Sequence, residues 1–191
     1  MVTDAESAGR WIGDALGLSI AKFEAPVWSR LYNAWKAQEF DEVRRLNALF
    51  SATRETAELR AETLQMGYSL RRLCVELGEF EAGVTGELQS MEEIVFPAAF
   101  TFVATQWAIP GRDALVAYLW SWLENQVMAV LKAVPLGQTD GQRLLLRLGT
   151  HLSSIADEAT AAEDAMLANF APGLAIASSR HETQYSRLFR S

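Results

Sequence analysis

The run RETAELRAETLQMGYSLRRLCVEL, Arg54 to Leu77, decides the fold class. Its apolar positions Leu59, Thr63, Met66, Leu70, Leu73 and Leu77 recur at spacings of four and three, the period of one face of an α-helix. Alternation at a spacing of two, which a half-buried strand needs, is absent. The run therefore reads as one long helix with this face as its packed seam. Gly67 inside it costs about 1 kcal/mol relative to alanine, so its presence points to a close approach by another helix.

The same period extends outward in both directions. Thr3-x-x-Glu6 has the spacing of a capping box and starts a first helix through Trp11, Ile12, Ala15 and Leu16. Pro26 opens or kinks the next, which carries Val27, Leu31 and Trp35; a short helix follows through Val43, Leu46 and Phe50. Downstream, Gly78, Gly83 and Gly86 mark the longest loop, and Pro97 and Pro110 stand where helices open. Pro135 ends an apolar helix, Gly137 is placed for the left-handed conformation, and Thr139-x-x-Gln142 caps the next. That helix runs through Leu145, Leu148, Leu152, Ile155, Ala159, Ala162 and Met166 until Pro172 breaks the pattern, and a last stretch follows from Gly173. The expected fold is all-α: one globular domain of eight to ten helices with a nearly fully buried central helix, spanning residues 1–179, and an amphipathic tail, 180–191.

Two apolar stretches, Ile94 to Ile109 and Ala114 to Val134, are candidates for burial on nearly all sides. Neither is a membrane span, which needs about 20 apolar residues: Pro110 stops the first, and Glu124-Asn125-Gln126 interrupts the second. With 191 residues, 50% hydrophobic and 21% charged, the chain is composed to fold as one domain.

The net charge of -7 excludes a nucleic-acid surface, which requires clustered Lys and Arg. The tail inverts this balance, with Arg180, His181, Arg187 and Arg190 against Glu182 alone. One cysteine, Cys74, allows no intramolecular disulfide and fits a reducing, cytoplasmic setting with no leader; it reads as a small buried hydrophobe. The tryptophans, Trp120 and Trp122 among them, are expected in the core. No phosphate-cradling G-x-x-x-x-G-K-[ST], no Cys-x-x-Cys, no paired histidines and no G-x-S-x-G occur, and His151 with His181 is too sparse for a dedicated metal site. Catalysis is not expected, and no catalytic residue or metal ligand is assigned.

Five segments together resemble the UreF family of urease accessory proteins: SRHETQYSRLFRS from Ser179 to Ser191, VPLGQTDGQRLL from Val134 to Leu145, ATRETAELRAETLQMG from Ala52 to Gly67, FPAAF from Phe96 to Phe100, and YLWSWLENQV from Tyr118 to Val127. The resemblance implies a non-catalytic, self-associating helical protein, a homodimer, that bridges UreD (also called UreH) and the GTPase UreG on apo-urease. It would regulate that GTPase during nickel insertion. No cofactor is then expected on this chain, since nickel and GTP belong to the complex and to UreG; neither nucleic acid nor membrane is a partner. The family's Pro/Gly/Ser-rich opening, with a run like G-F-S-Y-S, would already have ended where this chain reads Val2-Thr3-Asp4. That segment's part in partner contact or dimer packing is not carried over.

On this resemblance, Lys132, Gln138, Thr139, Asp140 and Gln142 at the helix connection, with Arg54 and Glu55, are candidate contacts to UreG. Arg180, His181, Glu182, Tyr185, Arg187, Leu188 and Phe189 are candidate contacts to UreD. As a helix the tail places His181, Tyr185, Leu188 and Phe189 on one face and Arg180, Gln184, Arg187 and Ser191 on the other, suited either to a partner's groove or to its own domain. Arg54, Glu55, Glu58, Arg60 and Glu62 form a charged strip, read as a solvated face or as the polar lining of an interface or channel. Two rival readings stay open: a helical interaction protein unrelated to urease, and an enzyme with a cavity around Glu124, the one obvious buried-acid candidate.

Overall fold

The computed structural model describes residues 2–163, 167–169 and 171–184. Among them are ten α-helices, one π-helical segment and no strand, so the all-α expectation holds. Within these residues, no helix is long and apolar enough to cross a membrane.

The chain begins with a rod of three consecutive pieces, α1 (Ala5–Ala15), a π-helical segment (Leu16–Glu24) and α2 (Ala25–Ala37). Its N-cap is Asp4 rather than Thr3: the Ser7 N–H donates to Asp4 Oδ1 at 2.8 Å and the Thr3 N–H to Ser7 Oγ at 3.1 Å. A carboxylate at the positive end of a helix is a strong cap, and the Ser7 backbone N–H and hydroxyl, both donating to it, hold the Asp4 pKa below its usual value. Pro26 lies in the first turn of α2, yet the rod does not stop there. A proline cannot serve the carbonyl four residues back, here that of Lys22. In this fold Lys22 O accepts instead from the Ala168 N–H at 3.2 Å, so the later chain satisfies the group that the proline leaves open.

After α3 (Phe40–Ala52) comes α4 (Ala57–Leu77), the helix anticipated from the opening run. Its packed face differs from the one expected. Thr63, Gly67 and Cys74 are buried, whereas Leu73 and Leu77 are 50% and 46% exposed. Small residues face inward because backbone lies against them: a Cβ on Gly67 would stand 2.1 Å from the Ile94 carbonyl oxygen. Gly67 thus marks a close approach, by the loop ahead of the next apolar helix and not by a helix.

Gly78 ends α4 in the left-handed conformation, φ 65°. Gly83 and Gly86 lie inside a short helix, α5 (Ala82–Ser90), where a long loop was expected. Then follow α6 (Phe96–Gln106), with Pro97 in its first turn, and α7 (Gly111–Ala133), whose N-cap is Pro110. The apolar helix α6 is buried at Pro97, Ala98, Ala99, Thr101, Phe102 and Ala104, but α7 exposes Trp120, Glu124 and Met128 on one side. The helix buried deepest in the centre is α2. Its Trp28 and Tyr32 join the core cluster of α1, α7, α8 and α9, and its Val27, Leu31, Ala34 and Trp35 join that of α3, α5 and α6.

Gly137 caps α8 (Gln138–Gly149) in extended conformation, φ −78°, without a left-handed turn, and neither Thr139 nor any other side chain caps the helix. The run expected as one helix to Met166 breaks at Thr150 and His151, and α9 (Leu152–Ala161) continues it. The break carries Gly149, over which the Trp120 ring lies so close that a Cβ would meet it at 2.8 Å. Leu144, Leu145, Leu148, Leu152, Ile155 and Ala159 stay buried across the break; Met166 lies outside the described residues. The last element is α10 (Pro172–Glu182). Of the tryptophans, Trp28 and Trp35 are core, while Trp11, Trp107 and Trp120 are partly exposed although each has a neighbour: Trp11 lines a cavity, Trp107 lies against Phe80 and Trp120 covers Gly149.

Candidate functional site

Where the π-helical segment, α4 and α7 meet, the fold leaves a cavity of about 260 Å³. Its polar floor comes from three parts of the chain. Glu24 ends the π-helical segment, Arg54 stands between α3 and α4, and Tyr118 lies one-third along α7. Arg54 Nη2 donates to Glu24 Oε2 at 2.7 Å, and the Tyr118 hydroxyl donates to Glu24 Oε1. Glu24 is buried and Arg54 largely so, with side chains 7% and 13% exposed, and the guanidinium lies 4.0 Å over the Phe50 ring. Burial and the adjacent Glu24 charge push the Tyr118 pKa well up, so the phenol keeps its proton and stays a donor.

Glu62 faces the same space from α4. Crowding by protein raises its pKa, the Glu24 charge raises it further, and Arg54 lowers it. Arg54, read in the sequence as a surface contact, is instead a structural cation of this floor; its Nε has no hydrogen-bond partner among the described residues. Glu24 escaped the sequence reading. Its signal was its isolation, since it is the only carboxylate between Asp14 and Glu39, in a run of mostly apolar residues.

The cavity borders Asn125 and Gln126, but Glu124 is exposed and does not line it. The buried acid is Glu24, with one oxygen taken by Arg54 and the other by Tyr118. This arrangement holds three elements together and leaves neither oxygen of Glu24 free. Among the described residues no group of three or more His, Cys, Asp or Glu side chains is placed to hold a metal ion. The buried Cys74 thiol has its pKa raised by burial, the opposite of a reactive thiolate, and His151 is exposed as the N-cap of α9.

A second feature lies beside the first. Helix α10 rests on the N-terminal turn of α4: His181 Nδ1 is 2.6 Å from Glu58 Oε2, the Glu58 N–H donates to Glu182 Oε1 at 3.2 Å, and Thr56 and Ser178 share a 2.7 Å hydroxyl contact. None of its residues is buried. Leu174 reaches the cavity, and ahead of α10 Asn169 accepts from Ser19 Oγ at 2.8 Å and donates to the Thr53 carbonyl at 2.9 Å. A shallow hollow along this junction brings Glu55 together with Arg180 and Glu182, which the sequence had assigned to different partners. The boundary drawn at residue 180 falls within α10; Tyr185, Arg187, Leu188 and Phe189 lie outside the described residues.

The third group is the corner between α7 and α8. Lys132 near the end of α7 and Gln138, Thr139 and Gln142 on α8 are exposed, and Asp140 accepts from Arg143 at 3.4 Å. These residues are close in sequence and share one corner. Of the charged strip, Glu55 and Glu58 face α10, Arg54 and Glu62 line the cavity, and Arg60 stands 3.9 Å from Glu93 on the surface.

Comparison with known proteins agrees with the five segments quoted above. The UreF family model matches residues 2–149. The urease accessory protein UreF of Azoarcus sp. (strain BH72) is 57% identical over 187 residues, covering 96% of this chain and 80% of that protein. Those of Dechloromonas aromatica (strain RCB) and Cupriavidus necator are 50% and 49% identical, each covering 100% of this chain and 84% of the relative.

Proposed function

This chain belongs to the UreF family of urease accessory proteins, which places it in urease maturation, and from that premise we propose that it bridges UreD and UreG during nickel insertion into apo-urease. It does so as a cytoplasmic, non-catalytic homodimer and regulates the GTPase of UreG; nickel and GTP are held by the complex and by UreG. The reading of an interaction protein unrelated to urease is set aside by the family.

The observation that supports bridging most directly is the lodging of α10. A helix with no buried residue, tied down by a few side-chain contacts to Thr56 and Glu58, can exchange its own domain for a partner at low cost. Residues 180–191, with Arg180, His181 and Glu182 at the end of that helix, are the proposed UreD contact. The α7–α8 corner at Lys132, Gln138 and Asp140, on another part of the surface, is the proposed UreG contact.

Size-exclusion chromatography of the chain with UreD, and then with UreD and UreG, tests this. Wild type should co-elute with both partners. A chain ending at Ser179 should lose UreD while keeping its melting transition, and Lys132→Glu with Asp140→Lys should lose UreG alone. Full UreD binding by the shortened chain would refute the tail assignment, and intact UreG capture by the charge-reversed protein would refute the corner.

A further inference from the structure

The cavity carries a charge that bridging as described does not use. Four titratable groups face it, one from each wall: Glu24 from the π-helical segment, Arg54 from the α3–α4 junction, Glu62 from α4 and Tyr118 from α7. Glu24 and Arg54 cancel, and the phenol is neutral. That leaves Glu62, which makes no hydrogen bond or ion pair among the described residues although crowding and the Glu24 charge already disfavour its ionised form. The same cavity is lined by Trp11, Trp122, Asn125 and Gln126. Aromatic faces and amide oxygens around an unpaired carboxylate make a receptor for an organic cation. Two carboxylates, one already engaged, are a poor donor set for a metal ion, which usually collects several oxygen, nitrogen or sulfur ligands.

Size narrows the class. At about 260 Å³ the cavity lies below the roughly 300–1,000 Å³ of sites for drug-sized ligands. Its rim is open, with Trp11, Glu62 and Asn125 exposed. We propose that this cavity receives one guanidinium or ammonium side chain presented by a partner protein, its charge on Glu62 and its alkyl stem against the tryptophan wall. Arginine suits it best, because the planar fork can serve Glu62 and an amide oxygen together. The inference holds whichever proteins the chain bridges.

The test uses the full chain and three capped tripeptides, acetyl-Gly-Arg-Gly-amide, its citrulline analogue and its glutamate analogue, followed by tryptophan fluorescence and by the melting temperature. The arginine peptide should give a saturable change and raise the melting temperature; the two analogues should not. Glu62→Gln should weaken binding at least tenfold. In wild type the affinity should fall as pH is lowered through the Glu62 titration, a readout independent of any variant's folding. Equal responses to the arginine and citrulline peptides, unchanged affinity in Glu62→Gln, or affinity that does not depend on pH would each overturn the proposal. Free arginine binding more tightly than the peptide would also overturn it, in favour of a small-molecule site.

Discussion

Gly67→Ala tests the packing on which the fold turns. An added Cβ would stand 2.1 Å from Ile94 O, 2.8 Å from Val95 C and 2.9 Å from Ile94 C, all backbone atoms that no rotamer change can move. Ordinary contact begins near 3.4 Å, so α4 and the Ile94–Val95 segment must separate by about 1.3 Å, 3.4 minus 2.1. That segment is pinned: the Val95 N–H donates to Asn47 Oδ1 at 2.9 Å, Asn47 Nδ2 donates to the Glu93 carbonyl at 3.1 Å, and the Phe96 N–H donates to Thr63 Oγ1 at 3.2 Å. Overpacking costs about 1–3 kcal/mol and a buried donor left unsatisfied about 1–3 kcal/mol, while alanine returns about 1 kcal/mol of helix propensity. The net is a loss of about 3 kcal/mol, or about 6–12 °C in Tm for a domain of this size. Urea titration followed by circular dichroism should show a lower midpoint with an unchanged slope. Gly86→Ala is the control, because nothing lies within 4 Å of its Cβ, and it should gain about 0.5–1 kcal/mol. A Gly67→Ala protein as stable as wild type would show that α4 does not press on this backbone.

Glu24→Gln should cost about 3–5 kcal/mol, because it strands the Arg54 guanidinium in a buried place. Adding Arg54→Met should recover part of that loss in a double-mutant cycle measured by urea melts, and strictly additive losses would contradict the ion pair. Tyr118→Phe, which removes a hydrogen bond to a carboxylate, should lose about 1.5–3 kcal/mol in the same assay. The Glu62 pKa is raised in the folded protein, so the folded state holds that proton more tightly than the unfolded one; the resulting stability is present below the ordinary glutamate range and lost as pH rises through the folded-state value. Glu62→Gln should therefore melt higher than wild type at pH 7.5 and equally at pH 4, and the reverse order would be inconsistent with a crowded carboxylate. His181→Ala should leave the global transition within about 0.5 kcal/mol of wild type, as expected of a partly exposed pair, while speeding proteolytic cleavage within α10; cleavage at the wild-type rate would mean that the His181–Glu58 contact does not hold the helix.

Local chemistry was legible wherever one residue decides the matter by itself. Pro97 and Pro110 open helices because a helix start has no use for their missing N–H, and Gly78 ends α4 because it tolerates positive φ. Period alone misjudged faces. The leucines of α4 carry the right spacing, yet the buried side is Thr63, Gly67 and Cys74, since backbone approaching at Gly67 admits only small side chains there. The α8–α9 break was likewise hidden, because buried residues keep the helical spacing on both sides of it.

The candidate site divides along the same line. Helix content, the connection at Lys132–Gln142 and the tail motif could be read from the sequence by itself, because each is a property of neighbours along the chain. The pairing of Glu24 with Arg54, 30 positions apart, and of Tyr118 with Glu24, 94 apart, could not. Nothing local distinguishes Arg54, whose side chain is 13% exposed, from Arg60 on the same strip, whose side chain is 51% exposed. Their difference arises only when the rod, α4 and α7 close on one another and exclude water from one of the two. A charge is costly where its hydration is lost, and which charges lose it is set by tertiary packing.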